Sequence, residues 1–195
     1  MPQIEIVNLG VTYIDKRKNE TTVLENFSAS FESGKISVIM GSNGCGKSTL
    51  LKAICCCFQF DGNIYFNGKN IEESKMLDLN VSYVDQDFAL YPHLTVFENI
   101  AYPLFIKKID EIEIERQVNK IAEELSISLL LSRLPRELSI GQQQRVAIAR
   151  ALIKKPSVLL LDEIMSNLDV SNQKKIRALL KNLIHNGDWG LGIGD

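Results

Sequence analysis

Gly41-Ser42-Asn43-Gly44-Cys45-Gly46-Lys47-Ser48-Thr49 fits the spacing G-x-x-x-x-G-K-[ST], with Gly41, Gly46, Lys47 and Ser48 at the required positions. Glycines at this spacing let backbone N–H groups close around phosphate oxygens, while the helix that follows turns its positive end toward them. Lys47 then reaches the β- and γ-phosphates, and Ser48 offers its hydroxyl to Mg²⁺. The whole stretch from Gly41 to Thr49 is therefore expected to line a nucleoside triphosphate. A chance glycine-rich turn would lack the right neighbours. Here Ile36-Ser-Val-Ile-Met40 reads as a short buried parallel strand before the loop, and Ser48 to Ile54 carries helical spacing after it, with Leu50, Leu51 and Ile54 on one face.

The rest of the chain is read outward from that loop. Its 195 residues suit one domain with a sizeable core. With 22 basic against 24 acidic residues the net charge is −2, which makes no electrostatic case for direct nucleic-acid binding. No apolar stretch approaches the roughly 18 residues of a membrane span, and the start reads as strand-like Ile4-Glu-Ile-Val7, so a cytosolic protein is expected. Cys55, Cys56 and Cys57 are consecutive and Cys45 lies in the loop. That spacing is not one of a zinc site, and it suggests partly buried thiols in a reducing compartment.

Toward the N-terminus the pattern is β: Ile4 to Leu9, then Val23 to Phe31, with Lys16-Arg-Lys-Asn-Glu20 as a polar loop between them. Beyond the loop helix come Ile64-Tyr-Phe66, an Asn67-Gly68 turn, and a strand at Val81-Ser-Tyr-Val84. From about Leu94 to Glu137 the character is helical, with Ile114, Val118, Ile121 and Leu125 on one face, and a further helix is predicted over Gln142 to Ile153. Val158-Leu-Leu-Leu161 reads as a buried strand, and Ser171 to His185 as a last helix.

Two more features carry chemistry. The strand Val158–Leu161 ends in Asp162-Glu163, and a parallel strand delivers both carboxylates to its C-terminal edge beside the phosphate loop. Asp162 is placed to hold Mg²⁺ and Glu163 to polarise the attacking water. Leu138-Ser-Ile-Gly-Gln-Gln-Gln-Arg145 opens a helix, with Ser139 suited to the N-cap and Gly141 leaving backbone N–H groups open, which makes a second anion-binding helix end. Two phosphate-binding helix ends with one catalytic base suggest that two copies share each nucleotide.

These motifs in this order resemble the ATP-binding-cassette (ABC) ATPases, whose signature is L-S-G-G-Q. The resemblance covers nearly the whole chain. Ala89-Leu-Tyr-Pro-His-Leu-Thr95, Glu98-Asn-Ile100, Pro135-Arg-Glu-Leu-Ser139 and Ser166-Asn-Leu-Asp169 are similar to ATPases of maltose-type sugar importers and their polyamine relatives. The resemblance implies an α/β P-loop NTPase core with an N-terminal antiparallel β subdomain and a helical insertion. Residues 1–86 and 145–195 would form the nucleotide-binding core, and 87–144 the helical and signature subdomain. It further implies that Tyr13 stacks on adenine and that Gln86 contacts Mg²⁺ and links core to insertion. Ser139, Gly141 and Gln142 would bind the γ-phosphate held by a partner, and Asp169 would communicate across the dimer. The implied cofactors are ATP and Mg²⁺. The implied partners are a second cassette, identical or not, and transmembrane permease subunits, with the chain peripheral on the inner face of the membrane. The alternatives are a cassette that closes on ATP but hydrolyses it poorly, and a soluble cassette acting outside transport; a turnover assay separates the first. The transported solute is not written in these residues.

Three departures qualify the resemblance. Ile140 replaces the first signature glycine, and Ile164 stands where the family has proline, which is expected to alter loop stiffness. The third lies at Asn186-Gly-Asp-Trp-Gly-Leu-Gly-Ile-Gly-Asp195, where Gly187, Gly190, Gly192 and Gly194 occupy positions of an expected β-branched strand. Glycines there predict that no packed strand forms. His185 falls on the preceding helix and His93 in the insertion, so neither serves as the family's histidine switch, and the regulatory C-terminal domain of sugar-importer ATPases is not seen. A truncated or disrupted end and slow hydrolysis are expected.

Overall fold

The computed structural model describes residues 4–71, 80–164, 173–174, 176–178, 180–181 and 190–194. Ser166–Asp169 and His185 lie outside the described residues. In chain order the elements are β1 (Ile4–Ile14), β2 (Glu20–Phe31), β3 (Ile36–Ile39), α1 (Lys47–Ile54), β4 (Asp61–Phe66), β5 (Lys69–Asn70), β6 (Val81–Val84), α2 (Val96–Ile106), α3 (Glu111–Glu124), α4 (Ile140–Leu152), β7 (Val158–Leu161) and β8 (Gly190–Gly194). Short 3₁₀ turns at Ser128–Leu130 and Pro135–Glu137 join α3 to α4.

The strands form two sheets. One is antiparallel, ordered β2-β1-β4-β5, and is the expected N-terminal β subdomain. Its first two strands run longer than the apolar pattern suggested, because the polar segment between them is a tight turn, and Glu20 already belongs to β2. Asp15 closes that turn by accepting from the N–H groups of Arg17 (2.6 Å) and Asn19 (2.9 Å). These bonds, the one from Asn19 first, hold its carboxyl below the usual range. Asn67 and Gly68, at φ 51° and 76°, make the expected hairpin turn between β4 and β5.

The second sheet is parallel, ordered β3-β8-β7-β6. Its strand β8 corrects an expectation. Despite its glycines, Gly190–Gly194 pairs on one side with β3, Ile36 opposite Leu191, and on the other with β7, Leu161 opposite Ile193. A strand between two neighbours pairs its backbone along both edges, and such pairing needs no side chain. Intrinsic strand preferences span only about 1 kcal/mol and yield to that context. Glycines at these positions are therefore compatible with a strand.

β7 explains why four apolar residues follow one another. Leu159 and Leu161 pack into a core with the helices, while Val158 and Leu160 pack into a second core with α1, β1, β2 and β4. All four are buried, as a strand covered on both faces requires. The helical region has the predicted amphipathic face on α3, with Ile114, Val118 and Ala122 buried and Leu125 buried at its C-cap. α2 opens with a capping box between Thr95 and Glu98. α4 runs unbroken across the expected boundary at 144/145, so a single helix carries both the start of the signature region and the packing against β6 and β7. Of the last predicted helix, residues 173–174, 176–178 and 180–181 are helical, and Ile176 and Leu180 join the core.

Candidate active site

The loop after β3 owes its shape to glycines at two points. Gly44 and Gly46 lie at φ 80° and 99°, in the left-handed region. At Gly46 a side chain would also meet Leu24, since a Cβ there would stand 2.8 Å from its Cδ2. Gly46 caps α1 without a side-chain bond, and α1 carries no acidic residue in its own first turn.

Around that end the functional side chains converge. Lys47 is buried, and its Nζ donates to Gly41 O at 3.0 Å and Ser42 O at 3.3 Å, while lying 3.7 Å from Glu163 Oε1. Ser48 Oγ donates to Asp162 Oδ1 at 3.0 Å. The structure thus brings Lys47, Ser48, Asp162 and Glu163 together from opposite halves of the chain. Asp162 and Glu163 arrive because β7 ends there, and Asp162 N donates to Val84 O at 3.0 Å, continuing the pairing with β6. The hydroxyl and carboxylate oxygens suit a hard divalent cation such as Mg²⁺, which prefers oxygen donors.

Two residues of this cluster escaped the sequence reading. Tyr83 OH donates to the second oxygen of Asp162, Oδ2, at 2.7 Å. Burial, reinforced by that carboxylate, pushes the phenol far above its ordinary range, so it remains a donor. Gln144, fully buried on α4, donates its side-chain N–H to Ile164 O. It ties the signature helix to the turn carrying Glu163. That turn places Glu163 at φ 45°, a conformation costing a non-glycine residue about 1 kcal/mol. Ile164 permits it, whereas a proline at 164 would bias residue 163 to extended backbone. Ile164 therefore bears on the path of the turn that carries Glu163 as well as on its stiffness.

The other predicted residues lie at the margins. Tyr13, 43% exposed, comes to the loop helix with its OH 3.4 Å from Thr49 Oγ1, and its ring meets Phe58 edge-on at 5.7 Å. Gln86 is exposed, two residues beyond β6. Its neighbour Asp85 pairs with Lys52 of α1 at 3.3 Å. Ser42, Asn43 and Cys45 are exposed along the loop. All four cysteines are free thiols, and burial pushes the Cys55 thiol up to about 12.

The signature residues stand apart from this cluster. Ser139 caps α4 in a capping box: Ser139 N donates to Gln142 Oε1 at 2.9 Å, and Gln142 N donates to Ser139 Oγ at 3.4 Å. Ile140 is 58% exposed. Among the described residues, no bond from this cap reaches Lys47, Ser48 or Asp162. Asp169 lies outside the described residues.

A cavity of about 420 Å³ opens between β6, α2 and α4, lined by Tyr83, Tyr91, Tyr102, Arg150 and Lys154 among others. Arg150 closes one side by donating to Phe88 O (2.8 Å) and Ala89 O (2.9 Å) in the segment after Gln86. No described helix is long and apolar enough to cross a membrane.

Comparison with known proteins places these features in a family. A family model described as "ABC transporter" matches residues 24–166. The chain is 40% identical over 183 residues to the trehalose/maltose import ATP-binding protein MalK of Thermococcus litoralis, covering 89% of this chain and 49% of that protein. It is 39% identical over 169 residues to the spermidine/putrescine import ATP-binding protein PotA of Aggregatibacter actinomycetemcomitans, covering 86% and 45%. The chain thus spans about half the length of the curated relatives it matches. Among solved structures, an ATP-binding cassette dimer in a post-hydrolysis state, bound to ADP and Pi, superposes with a TM-score of 0.88 at 30% identity, covering 98% of this chain and 87% of that one.

Proposed function

We propose that this chain, which belongs to the ABC transporter family, binds and hydrolyses ATP in a head-to-tail dimer that powers solute uptake through separate membrane-spanning subunits. The observation that carries the reading is the convergence of Lys47, Ser48, Asp162 and Glu163 at the positive end of α1. A triphosphate entering the loop meets the backbone N–H groups of Gly41–Thr49 and the Lys47 ammonium, which exchanges its carbonyl partners for β- and γ-phosphate oxygens. Ser48 and Asp162 would hold Mg²⁺, with Gln86 as a further contact, and a cation there would offset the charge of the phosphates. Glu163, within ion-pair reach of Lys47, orients and deprotonates the water aimed at the γ-phosphorus. Tyr13 stacks on the base.

The signature end completes the site from the other copy. Its cap consumes the N–H groups of Ser139 and Gln142 within the helix, while those of Ile140 and Gly141 enter no hydrogen bond among the described residues. Those two donors, with the Ser139 hydroxyl, are what α4 presents to a partner's γ-phosphate; Asp169 contributes to the same interface. The helical region from residue 87 carries the surface for the permease subunits, on the inner face of the membrane. Relatives named for a disaccharide and for polyamines match at nearly the same identity, which supports import while leaving the solute to other subunits.

The test is equilibrium binding of a fluorescent ATP analogue with and without Mg²⁺, followed by steady-state phosphate release across chain concentration. Binding at micromolar ATP and a specific activity rising with chain concentration are expected. Failure to bind at millimolar ATP overturns the proposal, and activity independent of concentration overturns the shared site.

A further inference from the structure

The Asp162 carboxylate is buried, 2% exposed, and both of its oxygens accept a hydrogen bond. The donors differ in origin. Ser48 belongs to the phosphate-loop helix and is itself expected at the metal, so its hydroxyl must serve two masters when nucleotide arrives. Tyr83 belongs to β6, outside the loop. β6 and β7 are parallel neighbours with Tyr83 opposite Leu160, so the sheet that delivers Asp162 also sets the phenol beside it. The bond is short, 2.7 Å, and one partner is charged, which makes it one of the stronger kind.

The Tyr83 ring has surroundings of its own. Lys52 Nζ lies 5.9 Å from its centroid, and the ring lines the cavity between β6, α2 and α4. Ring and hydroxyl are therefore separable: a phenylalanine keeps the first and removes the second. Without the hydroxyl, one oxygen of a buried carboxylate loses the side-chain donor it has among the described residues, and the group can turn about its Cβ–Cγ bond away from the metal position.

We propose that Tyr83 is a positioning residue, whose hydroxyl holds the Asp162 carboxylate in the orientation that receives Mg²⁺. The inference rests on the Mg-ATP reading above, and the experiment separates the two. It compares the affinity of the intact chain for a fluorescent ATP analogue in Mg²⁺ and in EDTA, for the wild type and Tyr83→Phe. The wild type should bind more tightly with Mg²⁺. Tyr83→Phe should lose about tenfold of that gain, the worth of one charge-assisted hydrogen bond, while its affinity in EDTA stays within about twofold. An unchanged gain overturns the proposal, and so does an equal loss in both conditions, which marks a general packing defect. A wild type that binds no nucleotide overturns the Mg-ATP reading as well.

A second measurement needs no deletion. With 3-fluorotyrosine at position 83, the fluorine resonance of the nucleotide complex should move when Mg²⁺ is added, as the donor set on Asp162 rearranges. A resonance blind to Mg²⁺ overturns the proposal even if Tyr83→Phe fails to fold.

Discussion

The two helix N-termini to which the proposed function assigns the nucleotide are built on opposite plans. At α1 the cap is a glycine with no side-chain bond; Lys47 and Ser48 stand in the helix's own first turn, and the Tyr83 hydroxyl and the Asp162 and Glu163 carboxylates are brought to them from β6 and the end of β7. At α4 the cap is a box of Ser139 and Gln142, topped by an exposed isoleucine, and among the described residues no bond joins it to Lys47, Ser48 or Asp162. One end is assembled by the fold of a single chain. The other is held by its own cap and, under the proposed function, awaits a second copy. The difference teaches that changes at α1 should be felt by an isolated chain, whereas changes at α4 should appear only when two chains meet.

The largest effect expected under this view is that of Glu163→Gln. Removing the base should lower kcat by about a thousandfold, within the range of general base catalysis, while nucleotide affinity is kept. The ATP-bound dimer should then accumulate and be visible by light scattering. A Glu163→Gln chain that stays monomeric at high concentration with Mg-ATP breaks the shared-site side of the comparison.

Lys47→Ala comes next. It removes the buried cation at the loop, and ATP affinity measured calorimetrically should fall about a hundredfold in the isolated chain, as for loss of a charged hydrogen-bond pair. A loss confined to dimerisation would contradict the claim that this end is complete within one chain.

Ser139→Ala should behave in the opposite way. It should cost about 1 kcal/mol of stability through the lost cap, seen in urea unfolding, and lower concentration-dependent turnover. Affinity of the isolated chain for ATP should remain within about twofold; a large drop would mean that the two ends are not independent.

The smallest effect sharpens the comparison at the loop itself. Cys45 is exposed and lies over Gly41, where an added Cβ would stand 2.5 Å from its Sγ. Alkylation should be slowed by bound ATP, as read by peptide mapping, while Cys55, kept protonated by burial, should react little in either condition. Equal labelling of Cys45 with and without nucleotide would remove the phosphates from its neighbourhood.

Much of this was legible before any coordinates. β6 and β7 fall on the residues predicted, Val81–Val84 and Val158–Leu161; β7, an apolar run buried on both faces, has no other stable place. The Asn67-Gly68 turn was legible because few dipeptides accept two consecutive positive φ angles. The antiparallel ends of β1 and β2 were underestimated because Thr12, Thr21 and Thr22 sit in a ladder whose partners lie across the hairpin, and a polar, exposed ladder leaves no hydrophobic trace. β8 was misread for a related reason: its place depends on β3 and β7 flanking it, and single-residue propensity does not see neighbours.

The sequence by itself determined the phosphate loop, the acid pair after its strand and the capped signature helix, since each is a local pattern whose backbone geometry and chemistry are set by adjacent residues. Only the tertiary structure decided that Ser48 and Tyr83 grip the two oxygens of Asp162, that Gln144 holds the turn of Glu163, and that a glycine-rich segment completes the parallel sheet. Those contacts join residues separated by 114, 79 and 20 positions or more in the chain. The physical reason is that hydrogen bonds and strand pairing act over a few ångströms of space, and only the packed sheet brings such distant positions within that reach.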